Sequence, residues 1–191
     1  MTSLISYASM KVLHRHTQIL SPWVTLVTKT IHQQGDLSGH VYHSLQQADY
    51  VSVLAVTPEG QVPLVRQYRP ALERVTLELP GGLLDSDEEP AAAAERELRE
   101  ETGFSARNGV VLLGCLAPDT GRLQNRLWCY YADAVIADNE RVSEPEAGIE
   151  MVLFTLPELR NAIINNSFDH ALHIGIIGLA LLNGFLDLKE M

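Results

Sequence analysis

Three carboxylates, Glu97, Glu100 and Glu101, fall within five residues of the run 82–104, GLLDSDEEPAAAAERELREETGF. Pro90 suits the first turn of a helix, the alanines at 91–94 and Leu98 are strong helix formers, and Gly103 is a natural stop. The run therefore predicts a helix over about residues 90–102. On it, Glu97 lies three positions before Glu100 and four before Glu101, so the three acids crowd one face. Like charges at that spacing repel by about 0.2–0.5 kcal/mol per pair, a cost that a divalent cation would turn into attraction. Oxygen-only ligands suit Mg2+ or Mn2+. Arg96 can also reach Glu100, and Arg99 can reach Glu95, which is the pattern of a solvated, salt-bridged face.

The wider spacing separates these two readings. Gly82, Glu88, Arg96, Glu97, Glu100, Glu101 and Gly103, with apolar Leu98 and Phe104, resemble the Nudix box, G-x5-E-x7-R-E-U-x-E-E-x-G-U with U apolar, at every position. A given start would match by chance with a probability on the order of 10^-10. The resemblance implies hydrolysis of a nucleoside diphosphate linked to a second moiety. It also implies roles: Glu97 and Glu101 as core metal ligands, Glu100 as a further ligand, and the Gly81 carbonyl on the same cluster. Arg96 would orient the carboxylates and Glu88 would brace the loop. Mg2+ is the implied cofactor, with Mn2+ able to substitute, because cations neutralise the diphosphate and supply the attacking water. The general base is not fixed by the box. In the ADP-ribose pyrophosphatase branch it is associated with a later loop glutamate, which here falls in 143–150, SEPEAGIE. Glu146 is the first choice by its distance from the following strand, with Glu150 and Glu144 as alternatives.

Residues 65–70, VRQYRP, and 77–82, LELPGG, are similar to signatures of that same branch. They nominate Arg69, whose planar guanidinium can hold a phosphate through two hydrogen bonds, and Glu78 beside it as substrate-binding. Pro118 lies near the position of a proline associated with ADP-ribose hydrolysis, and Asp119 matches a ribose-contacting acid. Residues 21–24, SPWV, and 41–44, VYHS, are similar to segments that supply the rings around adenine in ADP-sugar pyrophosphatases. Trp23 and Tyr42 would be the stacking pair, donated partly across a homodimer. Tyr42 stands where that family often has a second Trp, and His43 where it has an acid. ADP-ribose, cleaved to AMP and ribose 5-phosphate, is thus the leading expected substrate. Another nucleotide sugar such as GDP-mannose, a dinucleotide, or a non-catalytic ADP-ribose sensor are the alternatives. A sensor usually loses box carboxylates, and this chain keeps them.

The elements that must position these residues read as one α/β chain of 191 residues, without repeats or linkers. Two strands, 23–31 and 41–45, form an N-terminal hairpin, so residues 1–46 are expected to serve dimerisation and nucleobase contact and 47–191 to form the hydrolase domain. Further strands are expected at 50–56, 62–68, 75–79, 110–116, 127–135 and 150–155, and closing helices at 156–165 and 169–186. The expected architecture is the Nudix α/β/α sandwich with a mixed sheet. A net charge of -10 argues against nucleic acid as partner, whereas a small phosphorylated substrate can still meet bound cations. Cys115 and Cys129 form no CxxC, which predicts buried free thiols in a reducing cytoplasm. The apolar stretch 174–182 is about half a membrane span, so it is expected to pack on the core or at a dimer contact. The seven histidines, including the pairs 14/16 and 170/173, are read as structural or exposed.

Overall fold

The computed structural model describes residues 10–33, 39–138 and 148–189. Its chain divides into two compact units, one formed by residues 1–48 and 117–125, the other by 49–116 and 126–191.

In the first unit, β1 (Met10–Ser21), β2 (Val24–Gln33) and β3 (His40–Gln46) make a three-stranded antiparallel sheet in that order. The sequence predicts only the β2–β3 hairpin. β1 escapes notice because all but one of its twelve residues are exposed, so its side chains carry no alternation of buried and polar positions. The loop 117–125 joins this unit through a bridge between Leu45 and Leu123 and the bond from Leu45 N–H to the Arg122 carbonyl.

The second unit holds β4 (Tyr50–Ala55), β5 (Gln61–Arg69), β6 (Arg74–Glu78), β7 (Gly81–Leu83), α1 (Pro90–Thr102), β8 (Phe104–Ser105), β9 (Val111–Leu116), β10 (Leu127–Ala132), β11 (Ile136–Ala137), β12 (Ile149–Thr155), α2 (Leu156–Ile164) and α3 (Ala171–Leu182). One sheet runs β7-β4-β10-β9, with β4 and β10 parallel and the other pairs antiparallel. A second, antiparallel sheet runs β12-β5-β6, and β8 pairs with β11. Alternation along β4 and β10 sends side chains to two cores. Val51, Val53, Ala55, Tyr130 and Ala132 pack with Ala93, Ala94 and Leu98 of α1. Leu54, Leu127, Cys129 and Tyr131 pack with α2, α3 and the second sheet. Helices on both sides of a mixed sheet are the expected α/β/α sandwich.

α3 buries His173, Ile176, Ile177 and Ala180 on one face while Leu182 remains 86% exposed. Among the described residues no helix is long and apolar enough to cross a membrane. Cys129 is buried as expected, but Cys115 is only partly so, its Sγ accepting a bond from Arg126 Nε at 3.3 Å.

Candidate active site

The helix α1 occupies the predicted span. Pro90 opens it, and Gly103 closes it in the left-handed conformation (φ 73°), donating its N–H to the Arg99 carbonyl. Glu97 and Glu101, one turn apart, are 8% and 7% exposed, an unusual placement for acids on one helix face. Facing them is the turn into β7. A Cβ on Gly82 would lie 2.2 Å from Glu97 Oε1, and one on Gly81 would lie 2.2 Å from the Val51 carbonyl oxygen. Position 81 therefore requires glycine to leave room for the β4 backbone, whereas a side chain at position 82 would push the Glu97 carboxylate aside. The Gly81 N–H donates to Glu101 Oε2 at 2.8 Å. The contact seen is thus through the amide, which aims the carboxylate; the Gly81 carbonyl was the atom expected to face the cluster.

Arg96 ties the box together. Its Nε and Nη2 donate to the two oxygens of Glu88 at 2.9 and 3.0 Å, and its Nη1 donates to Glu97 at 2.8 Å and Glu100 at 3.0 Å. The bonds to Glu88 chiefly hold the guanidinium charged, and the same bonds hold the Glu88 carboxyl below its usual range. Arg96 thus stands between Glu88 on one side and Glu97 and Glu100 on the other. Glu100 is the most exposed of the three helix acids, with its side chain 46% accessible.

Beside this cluster, Arg69 makes two parallel bonds to Glu78, at 2.8 and 2.7 Å, and Thr76 Oγ1 donates to the same carboxylate at 2.6 Å. Burial pushes the Glu78 carboxyl up, but the bonds from Arg69 and Thr76 outweigh it and hold the group at about 2. Arg69, Gly81, Gly82, Arg96, Glu97 and Glu101 line one pocket of about 320 Å³, together with Gln67, Leu83 and Asp85. Gln67 belongs to the VRQYRP run but was not singled out from sequence; its alternation with Arg69 on β5 was the available signal.

Behind Glu78 stand two histidines from the start of α3. The rings of His170 and His173 stack with centroids 3.7 Å apart, and their ligating atoms and those of Glu78 lie within 4.8 Å of one another. The hydrogen bonds argue against a metal there. His173 Nδ1 accepts the Leu79 N–H at 3.0 Å, and His170 Nδ1 accepts the His173 N–H at 3.4 Å, so in each neutral ring the proton sits on Nε2. Glu78 is already committed to Arg69. Burial, followed by the neighbouring His170, pushes His173 down to about 3, so it serves as a neutral wedge under the loop 79–82.

The remaining nominated residues are placed as follows. Glu144 and Glu146 lie outside the described residues. Glu150 pairs across strands with Arg66, at 3.5 Å between charges. Residues alternate along β5, so Arg66 and Glu150 share the face opposite to Gln67 and Arg69. Asp119 Oδ1 accepts the Gly121 and Arg122 N–H groups at 2.8 and 3.2 Å and so shapes its own loop. Trp23 and Tyr42 are 70% and 56% exposed. Tyr42 sits opposite Lys29 while Trp23 occupies the turn before β2, which separates them by roughly 20 Å along that strand. Within one chain they cannot flank one base.

The donor set fits a hard divalent cation: buried, oxygen-only carboxylates on successive turns, one bonded to Arg96 and the other to the Gly81 N–H. Residues 46–172 match the NUDIX domain, and the chain belongs to the Nudix family. It is 53% identical over 57 residues to the ADP-ribose pyrophosphatase of Bacillus subtilis, a match covering 30% of this chain and 31% of that protein. Over 109 residues it is 31% identical to the methanol dehydrogenase activator of Bacillus methanolicus, covering 56% and 58% respectively. A mouse ADP-sugar pyrophosphatase is 44% identical over 63 residues, 31% of this chain and 29% of the relative. These matches thus span less than two thirds of each relative. A crystal structure of an ADP compounds hydrolase superposes with a TM-score of 0.76 at 22% identity, covering 93% of this chain and 94% of the other, which shows the shared fold.

Proposed function

We propose that the protein is a divalent-metal-dependent hydrolase that cleaves the diphosphate bond of ADP-ribose, giving AMP and ribose 5-phosphate. The observation that carries this reading is the convergence on one pocket of two buried box carboxylates, the start of β7 whose amide aims one of them, and Arg69, itself bonded to Glu78. The likeness to ADP-ribose and ADP-sugar pyrophosphatases supports the substrate class.

Glu97 and Glu101 would hold the metal, with Glu100 at the exposed edge; Mg2+ held there would neutralise the diphosphate and acidify the attacking water. Arg96 would keep Glu97 and Glu100 in place, and the Gly81 N–H would do the same for Glu101. Arg69, held in a planar bidentate pair by Glu78, would contribute its positive charge to the binding of a phosphate. Glu146 would take the proton from water. Glu150 is the weaker candidate for that task, because its register with Arg66 turns it away from Arg69 and Gln67. Trp23 and Tyr42 would stack on adenine from two copies of the chain, in a cytoplasmic homodimer whose N-terminal region, residues 1–46, mediates both contacts.

The test is turnover of a panel of nucleoside diphosphate derivatives, ADP-ribose, GDP-mannose and a dinucleotide among them, with and without Mg2+. ADP-ribose should give the highest kcat/KM, and chelation should abolish it. A metal-independent reaction, or tight ADP-ribose binding without turnover, would overturn the reading.

A further inference from the structure

The chain's charge is unevenly distributed. Residues 1–48 and 117–125 contain four of the fourteen Lys and Arg but only two of the 24 Asp and Glu, so this unit is positive within a protein of net charge -10. Three of its four cations, Lys11 from β1, Lys29 from β2 and Arg122 from the loop 117–125, line one cavity of about 550 Å³, and among the described residues no Asp or Glu lines it. Among the described residues none of the three is held in an ion pair. Tyr42 lines the same cavity. Lys29 lies directly opposite Tyr42 across the β2–β3 ladder, and Arg15 lies opposite Lys29 on its other side. Directly opposed residues in an antiparallel pair have Cβ atoms about 5 Å apart, so the phenol ring and the ammonium stem stand side by side on one face.

We infer that this cavity is an anion subsite for a second phosphate, one carried on the ribose next to the stacked base. The inference rests on the reading of Tyr42 as a nucleobase contact. A base lying on that ring places its own ribose within reach of Lys29, and Lys11 and Arg122 close the same cavity. An unmodified adenosine offers these cations only neutral hydroxyls, which cannot draw on their charge. Beside ADP-ribose, the substrate class thereby extends to nucleoside diphosphate compounds bearing an extra phosphate on that ribose.

Binding to AMP and to adenosine 2′,5′-bisphosphate, measured by calorimetry on the full-length protein, tests this without any hydrolysable bond. The outcome is therefore independent of whether ADP-ribose is turned over. The bisphosphate should bind at least about tenfold tighter, the worth of charge-assisted bonds to one phosphate. Lys29→Ala and Arg122→Ala, both at positions with room for a shorter side chain, should each shrink that ratio severalfold. Raising the salt to about 1 M, where screening reaches within about 3 Å, should shrink it in the wild type. Equal affinity for the two nucleotides, no detectable binding of either, or an advantage that persists in both variants would overturn the inference.

Discussion

Glu97 and Glu101 are two acids one turn apart on α1 and largely out of water, with Arg96 bonded to Glu97 and the Gly81 N–H to Glu101. Replacing Glu101 by Gln keeps the shape and the bond from the Gly81 N–H but removes the charge a cation needs. Glu101→Gln should therefore lose several orders of magnitude in kcat while its thermal stability without metal is unchanged or raised; activity above half of wild type at saturating Mg2+ would sink the assignment. The proton acceptor is a separate question. Glu146→Gln should cost about 10^2- to 10^4-fold in kcat with little change in substrate affinity. Glu150→Gln should cost little, since it breaks only an exposed pair with Arg66. Steady-state kinetics on both variants separates them. Sequence alone could not rank these glutamates beyond their distance from a strand. The register of β12 on β5, a non-local pairing, is what turns Glu150 aside.

At the scale of elements, the turn into β7 is as much a part of the site as the helix. Gly82→Ala would put a methyl group where the Glu97 carboxylate sits, so kcat should fall at least about tenfold, with weaker Mg2+ dependence measurable by titration, and with a smaller loss of Tm than Gly81→Ala, whose methyl meets the β4 backbone. The wedge of α3 under the loop 79–82 makes stability pH-dependent. His173 is neutral when folded, with its pKa pushed down to about 3, and would be protonated when unfolded below about 6.5. The unfolded chain thus binds the extra proton, and stability falls as pH drops from about 6.5 toward 3. Glu78, held at about 2, adds a loss in the same direction below about 4.5. His173→Asn, whose amide oxygen can still accept the Leu79 N–H, should flatten the drop in Tm between pH 7 and pH 5. An unchanged slope would remove His173 from the acid response. α1 was legible because capping, propensity and motif agree along one short stretch. β1 was not, because exposure on both faces erases its period. The Glu78–His170–His173 cluster joins residues some ninety positions apart and has no local signature.

For the whole molecule, the proposed adenine site must, given the separation of Trp23 from Tyr42 along β2, take one ring from each of two copies. Trp23→Ala should raise KM for ADP-ribose about 5- to 150-fold with a smaller effect on kcat. Mixing Trp23→Ala with Tyr42→Ala chains and letting dimers re-form should restore intact sites. Random exchange makes half the dimers mixed, each with one intact site, so about a quarter of wild-type sites return. Recovery of none would place the two rings in unrelated roles. A different consequence follows from β4 and β10 lying parallel, residue 50 beside residue 127. The complete box, residues 82–104, leaves the ribosome before the strand that shares its core: Tyr130 and Ala132 pack with Ala93, Ala94 and Leu98. Parallel pairing across so long a loop forms late in folding. A nascent chain ending before β10 would therefore carry every box residue and β4, yet lack the Tyr130 and Ala132 side of the core that seats α1. Truncated messages should yield inert, protease-sensitive fragments rather than a metal-binding hydrolase, and assembly of the centre becomes a check that synthesis has passed residue 132.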